Sequence, residues 1–279
     1  MKNKKSVDVS FIIIEYHSLS DVLQCVNSIK EKCFNISHEI IISSNSTYDI
    51  PIQQALELRY PNINWSFNSQ NNGFAYGMNC GISISNGEYI ILQNPDTIIE
   101  TNNLLEAINL LKQNKNIGLI GPKIVNLKNE VQDSCRTFLT PKTLFKRTIK
   151  RFLYKKHSIL ETDFNYDSTQ SVNWVIGAFM IFSKQSIDKV GLLNEKFFMY
   201  VEDMDLCLRF WENNLKVIYF PKLVIKYEGD RKSTKNNLLS FNKYTFIHLK
   251  NYLFFLKTHG IKKINSLKKM TLNFVLELS

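Results

Sequence analysis

Four short apolar runs divide the first hundred residues, and their spacing limits the fold more than any other feature of the chain. They fall at residues 9–16, 39–42, 63–67 and 89–92. Each is rich in Ile, Val, Phe or Tyr and too short for a buried helix, so each reads as a strand. The first, Val-Ser-Phe-Ile-Ile-Ile-Glu-Tyr, is almost continuously apolar, as a strand covered on both faces should be. Stretches with helical spacing lie between them. Ser20 and Asp21 open one that carries Val22, Cys25, Val26 and Ile29. Residues 52–58 form a second. A third opens on Asn71-Asn72-Gly73-Phe74 and runs to about Ser85. Strand and helix alternating in this way predict right-handed crossovers and a doubly wound α/β sheet.

The fourth run ends in Asn94-Pro95-Asp96. Pro95 cannot continue a central strand, so the chain turns there. The turn leaves two oxygen-bearing side chains, Asn94 and Asp96, at the carboxyl end of a buried strand, where open α/β sheets bind ligands. A hard divalent cation such as Mg2+ or Mn2+ is held by one or two such oxygens together with substrate phosphates. The competing reading is an Asx-type turn that only caps the strand.

The chain has 279 residues, enough for one large α/β domain or a domain with an appendage. Lys and Arg outnumber Asp and Glu 35 to 25, a net charge of +10 that favours anionic partners such as nucleotide phosphates, anionic lipid or nucleic acid. No nucleic-acid module is recognisable, and the basic residues are not interleaved as base-stacking platforms, so nucleic acid is not an expected partner. No run of eighteen or more uncharged apolar residues occurs, so no membrane span is expected. The apolar residues 9–14 behind the basic start are too few for a signal peptide and carry no cleavage site. Cys25, Cys33, Cys80, Cys135 and Cys207 lack metal-ligand spacing and are expected to be free thiols in a cytosolic setting.

Beyond the turn, residues 103–111 have helical spacing and 117–120 read as a strand. Residues 123–125 and 131–133 would form a hairpin. Residues 140–157 are basic with interleaved Leu, Phe and Ile, and 158–170 read as a polar loop. Residues 172–182 are the most apolar run of all. A short helix closes at residues 187–190. Residues 197–201, Phe-Phe-Met-Tyr-Val, lead into Glu202-Asp203-Met204-Asp205 and a helix through Trp211. Residues 217–220 and 223–227 read as two strands parted by Pro221, followed by a polar, mobile stretch at 228–237. Residues 238–256 and 261–276 read as basic amphipathic helices. They either pack on the domain with an ordinary solvated face or lie on anionic lipid.

The acidic pair Glu202 and Asp203 also permits two readings. Carboxylates at a helix start are favoured by its dipole and can be mere caps. The apolar approach through residues 197–201 instead suggests that they face a cleft, where a carboxylate can take a proton from an attacking hydroxyl. A metal-bound diphosphate leaving group at Asn94 and Asp96, with a base at Asp203, suits glycosyl transfer through an oxocarbenium-like transition state. One base in a single displacement implies inversion at the anomeric carbon.

The chain resembles the family 2 glycosyltransferases of the GT-A fold, and within them the rhamnosyltransferase-like enzymes of bacterial surface polysaccharide assembly. Asn72-Gly73-Phe74, Asn79-Cys80-Gly81, Asn94-Pro95-Asp96, Gly177-Ala178 and residues 198–203, in this order, carry the likeness across residues 8–233. The resemblance implies a Rossmann-like mixed sheet with a catalytic domain at 1–233, split into a nucleotide-sugar half (1–100) and an acceptor half (101–233), before a basic helical extension at 234–279. It implies Asp96 as the main metal ligand, with Asn94 beside it, Asp203 as base and Glu202 shaping the acceptor site. Gly73 and Asn79 would line the donor pocket, Glu15, Tyr16, Ser44 and Asn45 its nucleotide end, and Trp174 and Gly177 the floor; a purely structural tryptophan is the alternative at Trp174. The donor would be a dTDP- or UDP-sugar, best matched by L-rhamnose, and the acceptor a lipid-linked or polysaccharide hydroxyl in O-antigen or capsule synthesis.

Three positions depart from the family pattern. Glu15-Tyr16-His17 replaces Asn-Tyr-Asn, Ser44 stands where an Asp contacts the base, and Tyr227 stands where a His often binds the metal. Glu15 would supply the missing acid, and Glu228 the missing ligand. Loss of the acid and the His also keeps open a catalytically weakened relative that binds nucleotide or acceptor as an assembly partner.

Overall fold

A computed structural model describes residues 7–144, 164–227 and 243–272. Strands β1 (Val9–Glu15), β2 (His38–Ser44), β3 (Ile63–Phe67) and β4 (Tyr89–Gln93) run parallel in the order β3-β2-β1-β4. Helices α1 (Leu19–Lys32), α2 (Ile50–Arg59) and α3 (Phe74–Ser83) make the crossovers. The two-residue period of β1 explains why it needs apolar residues throughout. Ile12 and Ile14 join Met78 and Ile82 of α3 in one core layer, while Val9, Phe11 and Ile13 join Val22, Cys25, Val26 and Ile29 of α1 in the other.

The second half extends this sheet rather than starting another. β5 (Thr97–Ile99) and α4 (Leu104–Gln113) precede β6 (Ile117–Val125). β7 (Cys135–Arg136), β8 (Gln170–Ser171) and β9 (Trp174–Val175) are short, and β10 (Phe179–Ser183) leads into α5 (Lys184–Val190). Then come α6 (Glu202–Glu212) and β11 (Lys216–Tyr227). The full order is β3-β2-β1-β4-β10-β6-β11-β5, with β8 also on β11 and β7 pairing β9 separately. β10 is antiparallel to both β4 and β6, so the sheet is mixed. That reversal puts the start of β10 beside the end of β4, with Phe179 opposite Gln93.

The apolar run at 172–182 supplies two strands, β9 and β10, with residues 176–178 between them. Two local expectations change. Residues 217–220 and 223–227 form a single strand, β11, and a register shift between Phe220 and Val224 absorbs Pro221 as an irregularity. The expected hairpin at 123–133 shrinks to one bridge, Val125 to Val131, on the end of a longer β6. Pro122 is tolerated inside β6 because β10 pairs only with Leu119 and Ile120, so one side is already an edge there.

The C-terminal helices α7 (Lys243–His259) and α8 (Ile261–Leu272) pack on the sheet domain. Their Tyr252, Phe255 and Ile264 enter the same core cluster as Phe197, Phe210 and Trp211. Among the described residues no helix is long and apolar enough to cross a membrane. The basic segment from 145 onward, the loop to 163, Glu228 with the polar stretch after it, and the outer ends of both C-terminal helices lie outside the described residues.

Phe255 is fully buried. Phe255→Ala is expected to cost about 3–5 kcal/mol of folding stability, read by chemical denaturation. A loss below about 1 kcal/mol would show that α7 is not part of the core.

Candidate active site

Parallel strands end on the same edge, so Glu15, Ser44 and Gln93 close β1, β2 and β4 side by side. The Asn94-Pro95-Asp96 turn follows β4 directly and runs into β5. Its backbone is held from three sides. Asn94 N–H donates to Ala178 O at 2.9 Å, Thr97 Oγ1 donates to Asn94 O at 2.7 Å, and the Cys25 thiol approaches the same carbonyl at 3.9 Å. Burial, with a further push from the Asp96 charge, keeps that thiol protonated far above its usual range. Asn94 Oδ1 is buried with no hydrogen-bond partner among the described residues. A buried carbonyl oxygen without a donor, two residues before a carboxylate on Asp96, fits a hard cation completed by phosphate oxygens. Tyr227 lies opposite Thr97 across β5 and β11, beside this turn; Glu228 is the first residue beyond the described stretch.

The second corner begins at Gly177. Its N–H donates to Asp203 Oδ2 at 2.9 Å, and Met204 N–H donates to Oδ1 at 2.8 Å. A Cβ on Gly177 would stand 3.3 Å from Asp203 Cβ, so the missing side chain lets α6 approach this closely. Burial raises the Asp203 carboxyl above the ordinary Asp range, opposed by those two N–H bonds and by the Arg136 charge. Residues 177 and 178 are adjacent. One end of this dipeptide therefore bonds Asp203 and the other bonds the Asn94 backbone, so the start of α6 and the turn after β4 are tied to the same two residues.

Glu202, 6% exposed, is pushed well above the usual carboxylate range by burial and by the neighbouring charges of Asp203 and Asp205. Its Oε2 has no hydrogen-bond partner among the described residues. Asp205, the third acid of the cluster, is structural: it accepts from Arg209 Nε at 2.9 Å and lies 2.8 Å from His259 Nε2 on α7.

The segment that delivers this pair is strained. Tyr200 and Val201 have φ of 73° and 76°, two consecutive left-handed residues, one of them β-branched. Each costs about 1–3 kcal/mol and persists only where surrounding structure enforces it. Part of that enforcement comes from α3. Gly73 has φ 98°, and a Cβ there would stand 2.2 Å from Phe198 O, while Phe74 N–H donates to the same oxygen at 2.8 Å. The close approach that Gly73 permits is thus to the Phe198 backbone.

Asn79 is likewise engaged by protein. Its Nδ2 donates to Leu193 O at 2.9 Å and Glu195 Oε1 at 2.8 Å, and its Oδ1 accepts from Leu193 N–H at 3.1 Å. Glu15 is buried where Ser44 stands. Its oxygens accept from Ser44 Oγ (2.5 Å), Ser46 Oγ (2.9 Å), Ser18 N–H (3.0 Å) and Tyr48 OH (3.3 Å). Three of these donors reach Oε1 and one reaches Oε2, so Glu15 ties the loop after β2 to the end of β1. Asn45 donates to Gly73 O at 3.1 Å and accepts from Asn68 Nδ2 at 2.8 Å, joining that loop to α3. Tyr16, half exposed, stands at the rim with its ring 4.4 Å from the His17 ring.

Trp174 is buried, and its indole N–H donates to Thr137 O at 3.0 Å. Arg136 covers its ring at 5.0 Å and is the one cation among the charges that shift Asp203. Arg136 was not foreseen from sequence: it belongs to no motif, and only the β7–β9 pairing, 38 residues apart in sequence at Trp174, brings it here. Among the described residues no three His, Cys, Asp or Glu side chains form a metal cluster.

Comparisons with known proteins bear on the family and the fold. The Glycosyl transferase family 2 profile matches residues 10–190, more than half of the chain. The low-salt glycan biosynthesis hexosyltransferase Agl10 of Haloferax volcanii is 25% identical over 218 residues, covering 75% of this chain and 64% of that protein. The N-acetylglucosaminyl-diphospho-decaprenol L-rhamnosyltransferase of Mycobacterium tuberculosis is 21% identical over 230 residues, covering 75% of this chain and 74% of that one. A crystal structure of GalNAc-T7 with UDP, GalNAc and Mn2+ superposes with TM-score 0.65 at 12% identity, over 91% of this chain and 49% of the other. A structure of S. aureus TarS 1-349 gives TM-score 0.56 at 12% identity, over 80% of this chain and 60% of the other. At such identity these two structures speak to the fold, a GT-A glycosyltransferase fold, and the chain spans only part of the length of several of these proteins. With the profile reaching from β1 to the end of α5, the chain belongs to glycosyl transferase family 2.

Proposed function

We propose that this chain is an inverting, divalent-metal-dependent glycosyltransferase. It moves a sugar, L-rhamnose by preference, from a dTDP- or UDP-sugar to a hydroxyl of a lipid-linked or polysaccharide acceptor in bacterial surface polysaccharide (O-antigen or capsule) synthesis. The observation that carries the proposal is the Gly177-Ala178 dipeptide, bonded to Asp203 on one side and Asn94 on the other. Asp203 takes the proton of the acceptor hydroxyl while the hydroxyl oxygen bonds to the anomeric carbon. The bond from that carbon to the donor diphosphate breaks in the same displacement, and the sugar inverts. Burial makes Asp203 a stronger base than an exposed Asp, which suits the task. Asp96 and Asn94 would hold Mg2+ or Mn2+ against the donor phosphates, where the ion offsets charge on the leaving group. Glu202, whose carboxyl is pushed well above the usual range by burial and by the neighbouring acids Asp203 and Asp205, shapes the acceptor side.

The sugar and acceptor follow the names of the relatives: one is a hexosyltransferase, the other an L-rhamnosyltransferase with a diphospho-decaprenol acceptor. The chain would work in the cytoplasm, on the inner face of the membrane. Phe246, Leu249 and Leu253 form an exposed apolar stripe on α7, flanked by exposed Lys250 and Lys257. Such a face suits an anionic lipid surface, where a lipid-linked acceptor would be met.

Asp203→Asn is expected to lower kcat by about a hundredfold or more, with nucleotide binding retained, because only the base is lost. Asp96→Asn is expected to weaken Mn2+-dependent binding of uridine or thymidine diphosphate, read by calorimetry. Undiminished kcat in the first and undiminished metal-dependent binding in the second would contradict the two assignments.

Glu202 gives a pH signature. Its folded pKa lies above the unfolded value of about 4.3, so the folded state binds more protons between the two and stability falls as pH rises through that window. Glu202→Gln mimics the neutral acid. In metal-free protein its stability advantage should grow with pH, by about 1.4 kcal/mol at most for each pH unit crossed. An advantage that shrinks on going from pH 4 to pH 8 would reverse the sign and contradict the burial account.

Full-length protein should float with phosphatidylglycerol vesicles and not with phosphatidylcholine alone. The triple variant Phe246→Ser, Leu249→Ser, Leu253→Ser should lose this. Equal flotation of both proteins would rule out the α7 face as the contact.

A further inference from the structure

One buried polar side chain near the site has no part in the chemistry above. Asn251, on α7, is 6% exposed and lies among apolar neighbours on the helix face turned toward the sheet domain. Its Nδ2 donates to Met199 O at 2.9 Å and to Tyr200 O at 3.2 Å. These carbonyls bracket the entry into the left-handed pair Tyr200 and Val201, whose φ values are 73° and 76°. Glu202 and Asp203 follow at once. No glycine or asparagine is present at either strained position to relieve the left-handed geometry locally. The relief is supplied from outside the segment.

The same helix follows the segment along its length. Phe254 packs against Phe197 at 5.3 Å and under the Lys196 ammonium at 5.9 Å, and His248 lies 5.5 Å from the Tyr200 ring. At its far end His259 meets Asp205, two residues past Asp203, and on α8 Lys263 meets Glu212 at 2.9 Å. The strained approach and the helix behind it are thus both bound to the C-terminal hairpin.

We propose that Asn251 is a positioning residue for the transfer reaction. Its amide holds residues 199–201 in the left-handed path that turns Asp203 toward the Gly177 N–H, so the C-terminal helices complete the active site rather than append to it. An amide nitrogen has two hydrogens, one for each carbonyl, and both carbonyls would be left without this donor if it were removed. The inference rests on Asp203 as the base.

Asn251→Asp keeps the side-chain shape and removes both donors. Amide exchange of residues 199–205 and of Gly177 should speed up about tenfold or more, while the β1–β4 amides stay unchanged. With the donor that a panel of nucleotide sugars and Mn2+ identifies, kcat should fall about tenfold or more and donor KM should stay within about twofold. Asn251→Gln, which restores an amide, should recover part of kcat. If Asn251→Asp does not fold, Asn251→Ala is read in the same way. Unchanged local exchange and unchanged kcat overturn the proposal, as does exchange that rises equally throughout the sheet. Asp203→Asn, assayed in parallel, separates the two claims: full activity there removes the base assignment, while the exchange data still decide whether Asn251 holds the segment. If no donor turns over, exchange alone decides.

Discussion

Two hydrogen bonds made by one dipeptide hold the site together. Gly177 N–H reaches forward to Asp203, and Ala178 O reaches back to the Asn94 N–H. Everything nearby serves this junction. β10 must run antiparallel to β4 so that its first residues, not its last, stand beside the Asn94 turn. The absence of a side chain at residue 177 eases the approach of α6, since a Cβ there would stand 3.3 Å from Asp203 Cβ. The segment before α6 must enter through two left-handed residues, a strain offset by Gly73 against Phe198 on one side and α7 on the other. On the proposed roles, a base at Asp203 and a leaving-group site at the Asn94 turn would be tied to one dipeptide and would need little rearrangement to act together, which is where catalysis by positioning has its advantage.

The first hundred residues were largely legible in the sequence because their structure is local. β1, β2 and β4 are buried along most of their length, so composition alone marks them, and α1 carries a clear amphipathic spacing. β3 is a half-buried edge strand and α2 buries only Leu56, so these two stood out less. The Asn94-Pro95-Asp96 turn was legible for the same reason: a proline cannot continue a central strand. The acidic start of α6 was also readable, from carboxylates behind an apolar run. The departures at Glu15 and Ser44 were visible as a mismatch. That the Glu15 carboxylate sits against Ser44 and accepts four donors could only be seen once the β1 and β2 ends stood side by side.

What remained hidden depends on contacts between distant residues. At the break at 176–178 inside the most apolar run, Gly177 N–H reaches a carboxylate 26 residues later. Hydrophobic pattern carries no trace of that partner. β11 runs through Pro221 because a register shift accommodates it, where proline chemistry read alone predicts two strands. Arg136 reaches Asp203's neighbourhood only through a two-residue strand pair. Asn251 did leave a faint signal, a lone amide on the apolar face of a Phe- and Leu-rich helix, which is costly unless a partner waits for it. Asn79 bears a family motif, and in this chain its side chain is spent on the Leu193–Glu195 segment, which braces the approach to α6.

The most direct measurement is a crystal structure of the protein soaked with Mn2+ and uridine or thymidine diphosphate, with anomalous scattering used to find the metal. The expected result is a Mn2+ peak at about 2.0–2.2 Å from an Asp96 oxygen, bridged to the diphosphate, with the Asp203 carboxylate facing the same cavity across the 177–178 dipeptide. A metal-bound diphosphate lodged elsewhere, or one at Asp96 with Asp203 turned to a separate surface, would contradict the shared site on which the transferase mechanism depends.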